Sequence, residues 1–335
     1  MLSSTHPPLN PTRLAVTLTG LAVLLACVTF LALCLGSVSI SVADVARVLA
    51  GISSDGTLRT IVLDIRLPRV LLAMLVGAGL AIAGATFQAL LRNPLAEPFI
   101  LGISSGGTVG ALLAIGLGLA ALSITTPLMS FLGSASVMLL VYGLAHRRGY
   151  LDTYSLLLSG VMIGAFFNAA ILMLVAVFNQ ELRNAFLWLM GNLGAANLQS
   201  IAIITGPLLI ACGLLIRQSR NFNLIATGDE QAMQLGVEVA KVKRLSYLLA
   251  SLITGLVVSV SGVVGFVGLL IPHICRILFG PDHRILLPSS ILLGGAFLIL
   301  TDLLARTLLS PTEIPVGAVT AVIGAPIFIY LLRKT

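Results

Sequence analysis

The chain has 335 residues, 58% of them hydrophobic and only 9% charged, with a mean hydropathy of +1.10. That composition excludes a soluble globular domain, in which about 25% of residues are charged, and describes a polytopic membrane protein. The net charge of +7 does not point to nucleic acid, because Lys and Arg sit in short breaks between apolar runs, where they set membrane orientation, and no basic run is interleaved with aromatics.

Apolar runs occur near residues 14–36, 68–91, 99–121, 124–145, 155–178, 198–216, 245–265, 266–279, 285–305 and 315–332, which makes ten candidate helices. Several approach or exceed the roughly 20 residues that span the hydrocarbon core as a helix. The first begins after Arg13 and contains Leu24-Leu25-Ala26-Cys27, which looks like a lipoprotein cleavage box. The run continues past Cys27 to about Leu35, however, and is read as an uncleaved first helix. The other cysteines, Cys34, Cys212 and Cys275, also lie in or beside apolar segments without CxxC spacing, so they read as small apolar residues.

The break at 37–65 is predicted to carry a surface helix near Ser41–Leu49. The second run opens on Arg66-Leu-Pro-Arg69, carries Gly77, Gly79 and Gly84, and stops at Asn93, Pro94, Glu97 and Pro98, where missing donors force a turn. Its glycines, with Gly102, Gly106 and Gly110 in the next run, expose bare backbone for close helix packing. The break at 179–197 holds Glu181, Arg183 and Trp188, the only tryptophan, read as an interfacial anchor; Asn168 and Asn179, with Gln88, are read as interhelical hydrogen-bonding groups. The seventh and eighth runs are separated only by Gly262, Gly265 and Gly268, so nine spans with a re-entrant segment is the alternative count.

The insertion 217–244 is the most polar stretch. Thr227 with Glu230 suggests a capping box opening a short helix Asp229–Leu235 that Gly236 can end, with a second short helix over Val237–Lys243. With ten spans both termini share one side, and that side holds thirteen of the nineteen Lys and Arg residues, so both termini are expected in the cytoplasm. The six exceptions, Arg47, Arg59, Arg66, Arg69, Arg183 and Arg306, are expected to have work outside.

No phosphate loop G-x-x-x-x-G-K-[ST] occurs; His6, His146, His273 and His283 are scattered, and no nucleophile motif stands out. The chain is therefore expected to have no catalytic residues, no resident metal and no cofactor of its own. Ion coupling needs ionisable groups within the spans. Asp302 is the best candidate, four residues before Arg306 and able to pair with it along one helix face.

A set of blocks then carries a resemblance. They are Arg66-Leu-Pro-Arg69, Gly77-Ala-Gly-Leu-Ala81 with Gln88, Arg92-Asn-Pro-Leu-Ala-Glu-Pro98, Leu101-Gly102, Trp188-Leu-Met-Gly191 and Leu235-Gly236. They continue with Gly265-Phe-Val-Gly-Leu-Leu-Ile-Pro-His273 and Arg276, Asp282-His-Arg284, Asp302 with Arg306, Glu313-Ile-Pro-Val-Gly317 and Gly324-Ala-Pro-Ile-Phe328. In this order the chain resembles the FecCD family, permease subunits of type II ABC importers for iron chelates, haem and cobalamin.

The resemblance implies an all-α permease of about ten transmembrane helices, one domain over 1–335 with a cytoplasmic coupling insertion at 217–244, in a bacterial inner membrane. It implies a homodimer or paired halves, two copies of a separate ATPase subunit that uses the ATP, and a periplasmic or lipid-anchored binding protein. By the same likeness Arg66, Arg69 and Arg306 would meet acidic residues of that binding protein. Thr227, Gly228, Asp229, Glu230, Leu235, Gly236 and Val237 would contact the ATPase. Met162, Phe166, Asn168 and Met173 of the fifth run would line the pathway, although packing is the plainer reading for the methionines. The expected cargo is a metal chelate, ferric siderophore first, with haem and cobalamin also open. The alternative is a stand-alone secondary transporter coupled to an ion through Asp302.

Overall fold

The computed structural model describes residues 9–119, 124–147, 150–178, 182–310 and 312–334. His6, Arg148, Asn179, Glu181 and the side chain of Arg183 lie outside the described residues. Fifteen α-helices follow one another through them, and the only strands among the described residues are the two-residue pair 146–147 with 150–151.

Helix α1 (Pro11–Cys34) begins where Asn10 accepts from the Arg13 amide at 2.6 Å and Pro11 occupies a position that needs no amide donor. The predicted surface helix is α2 (Val42–Leu49), capped by Ser41 accepting from the Asp44 amide. A short α3 (Gly56–Arg59) runs through a wide-turn helical segment, Thr60–Arg66, directly into α4 (Leu67–Leu91). The chain then passes through α5 (Ile103–Gly116), α6 (Thr125–Ala145), α7 (Thr153–Val177), α8 (Leu182–Leu189), α9 (Leu198–Arg217), α10 (Ser219–Ile225) and α11 (Asp229–Gln234). It finishes with α12 (Val239–Ser261), α13 (Val267–Phe279), α14 (His283–Thr307) and α15 (Val316–Lys334).

Among the described residues, seven helices are long and apolar enough to cross a membrane, and three shorter apolar ones, α5, α13 and α15, bring the set to the ten apolar runs. The seventh and eighth runs are distinct helices. Gly262 and Phe266 both take positive φ (68° and 67°) and break the path between α12 and α13.

Helix α4 is the axis of the packing, set against α9, α12, α13 and α14, and buried along most of its length, whereas α1 lies at the edge against α14 with few fully buried residues. Two glycines explain how α4 admits neighbours so closely. A Cβ at Gly77 would strike the Gly294 carbonyl of α14, and one at Gly84 would strike the Gly268 carbonyl of α13. Backbone against backbone is how membrane helices gain dispersion contact where no hydrophobic gradient drives them together.

The structure alters two local expectations in the insertion. The capping box does not form, because Gly228 (φ 141°) occupies the cap position and the Thr227 hydroxyl turns back to donate to the Leu224 carbonyl at 2.8 Å. The expected second short helix is instead largely the first turn of α12, which begins at Val239, while Gly236 (φ 84°) ends α11 as anticipated.

Candidate functional site

The bundle has two charged ends. At one, the α2 end, lie the close of α1, the starts of α4 and α15, and the close of α14. At the other, the α11 end, lie the starts of α1, α7, α12 and α14, the closes of α4 and α13, and the pair α10–α11.

At the α2 end the three arginines expected at a docking surface are all turned inward, with 4%, 9% and 7% exposure for Arg66, Arg69 and Arg306. Arg66 Nη1 donates to the Leu33 and Cys34 carbonyls at 2.7 and 2.9 Å, and its Nη2 donates to the Val38 carbonyl. Arg306 Nη2 donates to the Ala32 carbonyl at 2.6 Å. Both therefore satisfy the carbonyls that the last turn of α1 leaves open, and they place positive charge at the negative end of its dipole.

Arg69 does different work. Its Nε lies 3.0 Å from both carboxylate oxygens of Asp302, its Nη2 is 3.0 Å from Asp302 Oδ1, and its Nη1 reaches Glu313 Oε2 at 2.8 Å. Asp302, 1% exposed, also faces Arg306 Nε at 3.7 Å, so the pairing expected along the α14 face exists but is the weaker of its two contacts. Burying these charges is tolerable only because each has a partner. The family resemblance implies that these guanidinium groups meet acidic residues of a partner, and the structure turns them inward instead, since position along a chain says nothing about the direction of the side chain. The half-exposed Glu313 is the outward member of this cluster.

At the α11 end, Asp229 opens α11 and gathers three other elements. Its Oδ2 accepts from Lys243 Nζ of α12 at 2.6 Å, its Oδ1 pairs with Arg92, and Lys243 Nζ also donates to Thr153 Oγ1 of α7 at 3.1 Å. Arg92 ends α4 in the left-handed conformation (φ 48°), which turns the chain back at Asn93. Beyond the clamp, Met233 and Leu235 stand out at 47% and 63% exposure, Glu230 is exposed, and Val237 packs inward. In the sequence Arg92 and Lys243 count among the orientation charges, Arg92 also opening a family-like block, and neither is marked there as a partner of Asp229. Fourteen residues separate Asp229 from Lys243 and 137 separate it from Arg92, so no local spacing announces the clamp.

A second network stands beside it. Asn223 Nδ2 donates to Asp282 Oδ1 at 2.7 Å, the His283 amide donates to Asn223 Oδ1 at 2.8 Å, and Arg284 Nη2 reaches Asp282 Oδ2 at 2.6 Å. It ties α10 to the start of α14.

Of the expected pathway residues, Met162, Phe166 and Met173 are exposed at positions that share one face of α7, four and seven residues apart. Asn168 falls on another flank, accepting from Ser105 of α5 at 2.9 Å. Gln88 makes the interhelical contact expected of it, accepting from Arg276 of α13 at 2.9 Å. No group of three or more His, Cys, Asp or Glu able to hold a metal occurs among the described residues.

Comparison with known proteins agrees with this architecture. The model of the FecCD transport family matches residues 24–334. The chain is 43% identical over 277 residues to the cobalamin import system permease protein BtuC of Halobacterium salinarum, covering 83% of this chain and 74% of that one. It is 40% identical over 312 residues to the hemin transport system permease protein HmuU of Yersinia pestis, covering 90% and 92%. A solved inward-facing structure of a metal-chelate type ABC transporter superposes with a TM-score of 0.85 at 32% identity over 95% of this chain and 99% of that chain. Neither these likenesses nor the double guanidinium grip on Asp302 favours a stand-alone ion-coupled transporter. The chain belongs to the FecCD transport family, as a multi-pass permease of the ABC-transporter kind.

Proposed function

We propose that this chain is the membrane-spanning subunit of an importer for a metal chelate, ferric siderophore first, delivered by a binding protein and driven by ATP hydrolysed on a separate subunit. The observation that carries this reading is the family membership across nearly the whole chain, whose relatives are named for cobalamin and hemin import. The whole chain acts as one permease domain, two copies enclose the pathway, and two ATPase subunits bind at the α11 end, which faces the cytoplasm of a bacterial inner membrane.

The exposed Leu235 and Met233 form the apolar contact for the ATPase, and the Thr227–Val237 segment transmits its closure through the Asp229 clamp to α4, α7 and α12. At the other end the binding protein docks outside. Arg66, Arg69 and Arg306 serve that docking by holding the end of α1 and the Glu313 loop in place rather than by touching the partner, since their guanidinium groups are committed inside. The exposed face of α7 with Met162, Phe166 and Met173 lines the passage, and Asn168 holds that helix against α5.

The test is uptake into proteoliposomes containing this chain, its ATPase and its binding protein, with ferric siderophore, haem and cobalamin compared with and without internal ATP. ATP-dependent uptake of ferric siderophore is expected. Uptake of haem or cobalamin alone would reassign the cargo, and uptake that ignores ATP but follows a proton or sodium gradient would sink the importer reading.

A further inference from the structure

A cavity of about 530 Å³ opens at the α11 end, between the two-stranded pair 146–151 and the junction of α11 with α12. Its floor is apolar: Leu151, Val237 and Val239 line it at 6%, 9% and 6% exposure. Its rim is charged and open. Lys241 and Glu238 stand there as a loose pair at 3.8 Å, both largely in water, and the exposed Arg244 has no carboxylate partner among the described residues. Two cationic side chains on the rim therefore face one acidic one. The exposed Tyr150 and Met233 complete the mouth. The start of α12 divides its cations between two tasks, since Lys243 turns inward to the Asp229 clamp while Lys241 and Arg244 border the cavity.

We propose that this cavity is a second docking point for the ATPase subunit, taking from it an apolar side chain flanked by a carboxylate. The inference rests on the reading of the chain as an importer permease. Continuity selects the occupant: Met233 borders the cavity and also belongs, with Leu235, to the exposed apolar contact assigned to that subunit, so a partner seated on one overlies the other. The chemistry selects the segment. An apolar hollow ringed by polar groups is where one anchoring side chain contributes most to an interface, and the fork of an unpaired guanidinium fits a carboxylate. A partner gripping both the Leu235 knob and this hollow holds the α11–α12 junction from two sides. Its movement then turns the start of α12, where Lys243 reaches the clamp.

The experiment uses the full-length chain in phosphatidylcholine nanodiscs, titrated with its ATPase subunit, with affinity read by biolayer interferometry and folding by the thermal midpoint. Arg244→Glu should weaken binding at least about ten-fold by setting like charges together, and Ala240→Trp, which fills the hollow, should do the same. Arg220→Glu, an equal charge change at the same end but outside the cavity, should alter affinity less than about two-fold. Arg244 is exposed, so its variant carries the test alone if Ala240→Trp does not fold. In a second readout, Ala240→Cys in a Cys27→Ser background, where the other cysteines are buried, should lose its reactivity towards a small maleimide when the ATPase subunit is added. Unchanged affinity in Arg244→Glu and Ala240→Trp overturns the proposal. So does equal weakening by Arg220→Glu, which would make the effect a diffuse field. Protection of the cysteine by phosphatidylglycerol nanodiscs alone, with no further change on adding the ATPase subunit, would give the cavity to lipid. Failure of the unaltered, folded chain to bind the ATPase subunit at all would instead overturn the importer reading, and this inference with it.

Discussion

The two charged ends use the same chemistry, aspartate between cationic side chains, in opposite settings. At the α2 end Asp302 is sealed between Arg69 and Arg306, and the arginines there bind backbone as well as acid. At the α11 end Asp229 and Arg92 are about 40% open, and only Lys243 is buried. A buried ion pair is rigid because losing either partner strands a charge in a low dielectric, whereas a half-open one can exchange partners with water at little cost. The first arrangement suits a fixture, the second a joint that moves.

The largest expected effect breaks the fixture. Arg69→Met leaves Asp302 without its main partner and should cost about 3–5 kcal/mol, read as a large drop in thermal midpoint in detergent. Adding Asp302→Leu should recover only part of that loss, because it removes the stranded carboxylate but also takes from the buried Arg306 its acidic neighbour; a double variant no better than the single would show that the cluster contributes through shape rather than charge. Next comes the packing between the ends. Gly84→Ala places a methyl against the Gly268 carbonyl and should cost about 1–3 kcal/mol by forcing α4 and α13 apart, while Gly20→Ala, where nothing lies within 4 Å, should be silent.

The joint should respond differently. Asp229→Asn is expected to cost about 1–3 kcal/mol, since it leaves the buried Lys243 ammonium without its carboxylate while the Arg92 pair is half exposed, and to lower the cargo moved per ATP hydrolysed in the reconstituted importer. Equal transport per ATP would remove the clamp from the coupling mechanism.

The smallest effect is one of pH at the α14 cap. Burial acts to raise the Asp282 carboxyl, but hydrogen bonds from the Arg284 side chain and amide and from Asn223 outweigh it and bring it down to about 2. Its folded value lies below the unfolded one of about 3.9, so its contribution is present above about pH 4 and is lost as pH falls through about 2. Asp282→Asn should flatten the decline of the thermal midpoint across that window; an unchanged slope would assign the acid sensitivity elsewhere.

Much of this was legible in the chain. Among the described residues, the ten apolar runs became ten apolar helices, because span length and backbone satisfaction in lipid are properties of composition and local spacing. Ser41 as the α2 cap and Gly236 as the α11 stop were readable for the same reason, each acting within one turn. The helix starts at Asp229 as its sequence suggests, but the capping box at Thr227 does not form, because Gly228 (φ 141°) takes the cap position itself and frees the Thr227 hydroxyl to turn back.

The sequence by itself determined the class of molecule, its helices and its family, since periodicity, composition and ordered motifs are one-dimensional quantities. Tertiary structure alone decided what the charges do. That Arg66 and Arg306 close the end of α1, that Arg69 joins Asp302 to Glu313, and that Arg92 and Lys243 meet on Asp229 depends on residues up to 274 positions apart being brought within hydrogen-bonding reach. The direction of a long side chain is set by whichever neighbours surround it, and those exist only once the helices have packed.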